Sequence, residues 1–107
     1  MKSSGLRSLD DNETSNPRNW TFFSNYAHVL VCLTHRPQPT TRQMAYQVGI
    51  TERAVQRILS GLIAAGVVKV TKAGRRNIYT IDLSQKLRHP LESHRTIGEF
   101  IGLMESE

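Results

Sequence analysis

Arg53, Gln56 and Arg57 lie in a stretch whose apolar residues, Val55, Ile58, Leu59, Leu62 and Ile63, form a single helical stripe. All three lie off that stripe, as do Thr51, Glu52 and Ser60. Arginine and glutamine make paired hydrogen bonds to the major-groove edges of guanine and adenine. Thr51 stands at the helix start, where open N–H groups suit a phosphate oxygen. Glu52 suits a cytosine amino group or a role orienting Arg53. A second basic group, Lys72, Arg75, Arg76 and Asn77, surrounds Gly74. Its composition is that of a loop tip that follows a nucleic-acid backbone or enters a minor groove.

Charged faces and basic loops are commonly plain solvated surface, so the location of charge separates the two readings. The 107-residue chain has a formal net charge of +5. Residues 40–77, which include Thr41 and Arg42, hold seven basic side chains against Glu52 alone, a balance of +6. The remaining residues hold seven basic and eight acidic side chains, a balance of −1. A charge serving only solubility would have no reason to segregate in this way.

Other constellations carry less. His28, Cys32 and His35 fall at i, i+4 and i+7, and His and Cys are ligands for soft metals. No carboxylate accompanies them, and Cys32 sits inside Val31-Cys32-Leu33, where a small buried hydrophobe is the ordinary role, so no metal site is expected. A lone cysteine also excludes an intramolecular disulfide framework. His89 and His94 are poorly spaced for one helical face; His89 suits a cap and His94 a dimer seam. No catalytic triad, phosphate-binding glycine loop or metal-backed carboxylate pair is present, so neither an enzyme nor a cofactor is expected.

The elements that must position these groups follow from period and caps. Residues 1–18 are polar and read as a flexible tail, with 19–107 as one domain. Thr21 to Thr34 reads as a helix with two apolar stripes, Phe22-Tyr26-Val29-Leu33 and Phe23-Ala27-Leu30-Val31. Arg36-Pro37-Gln38-Pro39 stops it. Thr40 and Gln43 predict a capping box on a second helix ending at Gly49. Thr51 caps a third helix running to Ala65. Val67–Lys72 and Ile78–Ile81 read as two strands around a five-residue loop. A last helix is expected over about residues 90–105, roughly 24 Å long at 1.5 Å per residue. Its stripe is Ile97, Phe100, Ile101 and Met104.

The second and third helices fit a helix-turn-helix. With Thr41 as the first position, the fifth is Ala45, small where the helices cross, and the ninth is Gly49, in the turn. Ile50, Val55 and Ile58 at the tenth, fifteenth and eighteenth fill the angle between them. The expected fold is α+β and mainly helical: three helices with a β-hairpin wing and one extra C-terminal helix.

The stretch TTRQMAYQVGITERAVQRILSGLIAAGVV, followed by KVTKAGRRNIYTI, resembles winged helix-turn-helix regulators of the MarR and ArsR type, found mainly in bacteria and archaea. GITERAVQR, GRRN and LRHPLESH are similar to segments of small MarR-like proteins. The resemblance spans Trp20 to Met104 and implies a homodimer that binds a palindromic DNA operator and regulates transcription. It places recognition on Thr51, Arg53, Gln56 and Arg57, and the wing role on Arg75 and Arg76. Longer relatives carry further helices that build a ligand pocket, so a small-molecule effector stays open here.

Apolar surface left over on the first and last helices points to a dimer seam of Phe22, Tyr26, Ile97, Phe100, Ile101 and Met104. The alternative is that the last helix folds back on its own first helix. No apolar run reaches the ~18 residues of a membrane span, and the N-terminus has no signal-peptide core. The expected setting is cytoplasmic, at the nucleoid. A winged-helix module that binds protein is the alternative function, and RNA binding ranks below it because an aromatic platform is missing.

Overall fold

A computed structural model describes residues 20–105, and the expected tail at 1–18 lies outside them. The chain is a small α+β unit in the order α1 (Asn25–Leu33), α2 (Thr41–Val48), α3 (Glu52–Ala64), β1 (Val68–Ala73), β2 (Arg76–Ile81) and α4 (Ile97–Glu105).

Local capping sets the first three helices. Ser24 Oγ accepts from the Ala27 N–H, so α1 starts at Asn25 rather than Thr21. Phe22 and Phe23 therefore precede the helix and do not extend its stripes. Thr40 Oγ1 accepts from the Gln43 N–H (3.1 Å) while Gln43 Oε1 accepts from the Thr40 N–H (2.9 Å), the capping box expected for α2. Gly49 ends α2 at φ +87°, with no atom near where a Cβ would stand. Backbone handedness, not space, selects glycine there. Thr51 Oγ1 caps α3 through the Ala54 N–H at 3.0 Å.

These three helices bury their inner faces against one another. Val29, Leu33, Met44 and Val55 are the fully enclosed centre, with Ile58, Leu59 and Leu62 beside them. Ile63, expected on the same stripe, is instead exposed near the end of α3.

The hairpin is longer and tighter than its composition suggested. Register runs from Val68 opposite Ile81 to Ala73 opposite Arg76, so the loop is only Gly74-Arg75. Gly74, at φ +67°, supplies the positive angle that short hairpin turns require at their first central position. Arg76 and Asn77 thus belong to β2 and not to the loop. Past Val68, every residue of β1 is exposed.

Gln38 joins the hairpin to the helices. Lying between two prolines, it is 8% exposed. Its Nε2 donates to the carbonyls of Leu33 (2.9 Å) and Tyr79 (2.7 Å), and its Oε1 accepts from the Tyr79 N–H (3.0 Å). One side-chain amide thus pairs with the free edge of β2 as a neighbouring strand would.

The last helix is about half the expected length. Residues 90–96 supply only Leu91 as an apolar side chain, and it is exposed, so nothing drives helix there. Thr96 Oγ1 accepts from the Glu99 N–H (3.1 Å) and Glu99 Oε1 from the Thr96 N–H (2.9 Å), which starts α4 at Ile97. Segment 83–87 runs antiparallel to 95–98, with Leu87 N–H to Arg95 O (2.9 Å), Ile97 N–H to Gln85 O (2.8 Å) and Gly98 N–H to Leu83 O (2.9 Å). Hydrogen bonds from Ser84 hold the Asp82 carboxyl below its ordinary range, and those from Thr96 and Arg95 do the same for Glu99. Their contributions are present above the ordinary carboxylate range and are lost as pH falls through the lowered values.

A Cβ on Gly98 would stand 3.0 Å from the Leu83 carbonyl oxygen, whereas one on Gly102 meets nothing within 4 Å. Gly98→Ala is therefore expected to destabilise the fold by about 1–3 kcal/mol. Gly102→Ala should stabilise it by about 0.5–1 kcal/mol through helix propensity. Urea unfolding of the two variants checks the contrast; equal midpoints would refute the close approach of α4 to segment 83–87.

Candidate nucleic-acid interface

Apart from Thr51, whose Oγ1 caps the helix, the outward face of α3 has no side-chain partner among the described residues. Thr51, Glu52, Arg53, Gln56, Arg57 and Ser60 are all exposed. Arg53, Gln56, Arg57 and Ser60 follow at i, i+3, i+4 and i+7, a stripe about 10 Å long. Among the described residues their side chains have no hydrogen-bond or ion-pair partner, and Glu52 does not engage Arg53. Among the described residues the one ion pair is Arg95–Glu99, at 3.1 Å and well exposed. Arg53 and Arg57 repel one another on their own helix by about 0.2–0.5 kcal/mol. A face shaped for stability alone would place a carboxylate between them. Among the described residues the N–H groups of Glu52 and Arg53 also have no acceptor, so the start of α3 offers open donors beside cationic side chains.

On α2, Arg42 is exposed and has no partner among the described residues, while Thr41 is half-buried. Tyr46 is 89% exposed. It lies about 200° around the helix from buried Met44, which turns it outward. Tyr46 and Arg42 line an open groove of about 670 Å³ with His35, Pro39 and Arg76, so the outer face of α2 and the hairpin converge there.

The four basic-loop residues divide into two pairs. Lys72 and Arg75, near and in the turn, have exposed side chains without partners among the described residues. Arg76 Nη2 donates to the Gln38 carbonyl at 2.8 Å, and Asn77 Nδ2 donates to Tyr79 Oη at 3.4 Å.

The His28–Cys32–His35 series does not converge. Helix α1 ends at Leu33, so His35 leaves the helical register. His28 Nδ1 pairs with Asn25 Oδ1 at 3.1 Å, and Cys32 Sγ donates to Gln47 Oε1 at 3.4 Å. Burial pushes the Cys32 thiol above its ordinary value, which keeps it protonated and unreactive near neutrality. Among the described residues, no three His, Cys, Asp or Glu side chains are grouped to hold a metal ion. His89 Nδ1 accepts from the Leu91 N–H (3.0 Å) in the turn before α4, rather than capping that helix.

The expected apolar seam is split by the fold. Ile97 and Ile101 are 4% and 6% exposed within a single chain, packed into its own core because the short α4 lies against α1. They are not surface residues. Phe100 is half-buried, its ring 5.1 Å from that of Phe23. Phe22 is 86% exposed and stacks edge-on to Trp20 at 4.7 Å. Tyr26 and Met104 are also exposed, as is Leu103. Among the described residues no helix is long and apolar enough to cross a membrane.

The chain matches no protein-family model, no curated protein and no solved structure.

Proposed function

We propose that the protein is a sequence-specific double-stranded DNA-binding transcriptional regulator of the winged helix-turn-helix kind. In this reading α2 and α3 are the helix-turn-helix, and α3 enters the major groove with Arg53, Gln56 and Arg57 on base edges. Lys72 and Arg75 at the hairpin tip, with Arg42 and Tyr46 on α2, grip the flanking backbone. The observation that carries it is the row of cations without a partner among the described residues, in a segment with a balance of +6. Exposed Phe22, Tyr26 and Met104 support a homodimer, whose two-fold axis calls for a palindromic operator.

The test is binding of mixed-sequence duplex DNA across a salt series. Each phosphate contact contributes about −0.9 to the slope of log K against log salt, so Arg42, Lys72 and Arg75 alone predict about −2.7 per protomer. A flat salt response would overturn this reading in favour of a protein-docking module.

A further inference from the structure

We propose that Arg76 is a positioning residue: it fixes the angle of the hairpin so that Lys72 and Arg75 meet the DNA backbone, and it is not itself a backbone contact. This rests on the DNA-binding reading above. The hairpin leaves the body of the protein as a two-stranded ribbon. Beyond Val68, β1 buries nothing, and β2 is exposed from Arg76 to Ile78. Such a ribbon is marginally stable by itself and bends easily. Among the described residues, only two places on it hydrogen-bond outside the hairpin, and both meet Gln38. The Tyr79 backbone pairs with the Gln38 amide, and the Arg76 guanidinium binds the Gln38 carbonyl.

The two attachments are three residues apart along β2, about 10 Å at 3.3 Å per residue. A ribbon held at one point pivots; held at two it does not. Gln38 is itself tied to the Leu33 carbonyl at the end of α1, so the second attachment refers the hairpin tip to the helical core. Lys72 pairs with Asn77, one residue on the body side of Arg76, and Arg75 is in the turn beyond it, so both cations lie on the tip side of the Tyr79 attachment and flank the Arg76 one. Losing the Arg76 bond frees the tip to pivot about Tyr79, and the cost appears at Lys72 and Arg75.

A double-mutant cycle separates this role from direct contact. Duplex affinity is measured by fluorescence anisotropy at one salt concentration for wild type, Arg76→Ala, Lys72→Ala/Arg75→Ala and the triple variant. Thermal unfolding confirms that each is folded at the assay temperature. Arg76→Ala is expected to weaken binding about tenfold in the wild-type background and less than about twofold once Lys72 and Arg75 are gone. The same factor in both backgrounds would make Arg76 a DNA contact and overturn the proposal. A lowered Tm with unchanged affinity would make it a fold-stabilising residue only, and would also overturn it. Failure of wild type to bind duplex DNA in a salt-dependent way would instead remove the DNA-binding reading, and the proposal with it.

Discussion

Gln38→Leu is expected to cost about 2–5 kcal/mol of folding stability, which for a domain of this size lowers Tm by roughly 10 °C or more. Leucine matches the volume and keeps the site apolar. It removes the only partners, among the described residues, of two Tyr79 backbone groups, the N–H and the carbonyl, at the half-buried edge of β2. Each unsatisfied group costs about 1–3 kcal/mol when water cannot reach it. The Leu33 carbonyl is less affected, because Arg36 Nη1 also donates to it at 2.9 Å. Thermal and urea unfolding report the loss. A midpoint within about 2 °C of wild type would mean that water replaces the amide at no cost, and that the hairpin does not depend on Gln38 for its attachment.

Arg57→Ala carries the second large effect, and it falls on function. Arg57 lies in the centre of the α3 stripe, exposed and without a partner among the described residues, so its removal costs the fold little. If it reads a guanine, affinity for the best duplex should drop by about 1–3 kcal/mol, and preference at one position in each half-site should relax. Arg75→Ala, at the hairpin turn, should weaken binding to all sequences alike and flatten the salt slope by about 0.9. Selection from random duplex DNA, followed by anisotropy on the chosen sequence, distinguishes the two. Binding of both variants at wild-type strength would remove these roles from Arg57 and Arg75.

Some of this architecture was legible because it is written over three or four residues. The Thr40–Gln43 box, the Thr51 cap, Gly49 in its left-handed turn and the Val55–Leu62 stripe each set their element with neighbours alone. The candidate interface shared that legibility. A helix that buries one stripe must expose the rest, so the placement of Arg53, Gln56, Arg57 and Ser60 followed once the apolar residues were assigned. The outward place of Tyr46, two residues from buried Met44, follows from the same geometry, against the usual preference of aromatic side chains for the core. The ends of α1 and α4 were harder. Apolar period extended the first helix over Phe22 and Phe23, and Pro90, a residue suited to the first position of a helix, extended the last, while short-range caps at Ser24 and Thr96 decided otherwise.

By itself, then, the sequence determined the order of elements, the caps of α2 and α3, the outward face of α3 and the clustering of positive charge on residues 40–77. Each depends on helical period, on a local hydrogen bond or on composition. Only the tertiary structure decided that Gln38 serves as the missing neighbour of β2, that Arg76 is tied to the body while Lys72 and Arg75 are free, and that Ile97 and Ile101 belong to the core rather than to a seam. These depend on groups 38 to 41 residues apart for the Gln38 contacts, and on the packing of α4 against α1. No residue pattern encodes such a pairing, because it is the packed core that selects which distant backbone groups lose water and which side chain must replace it.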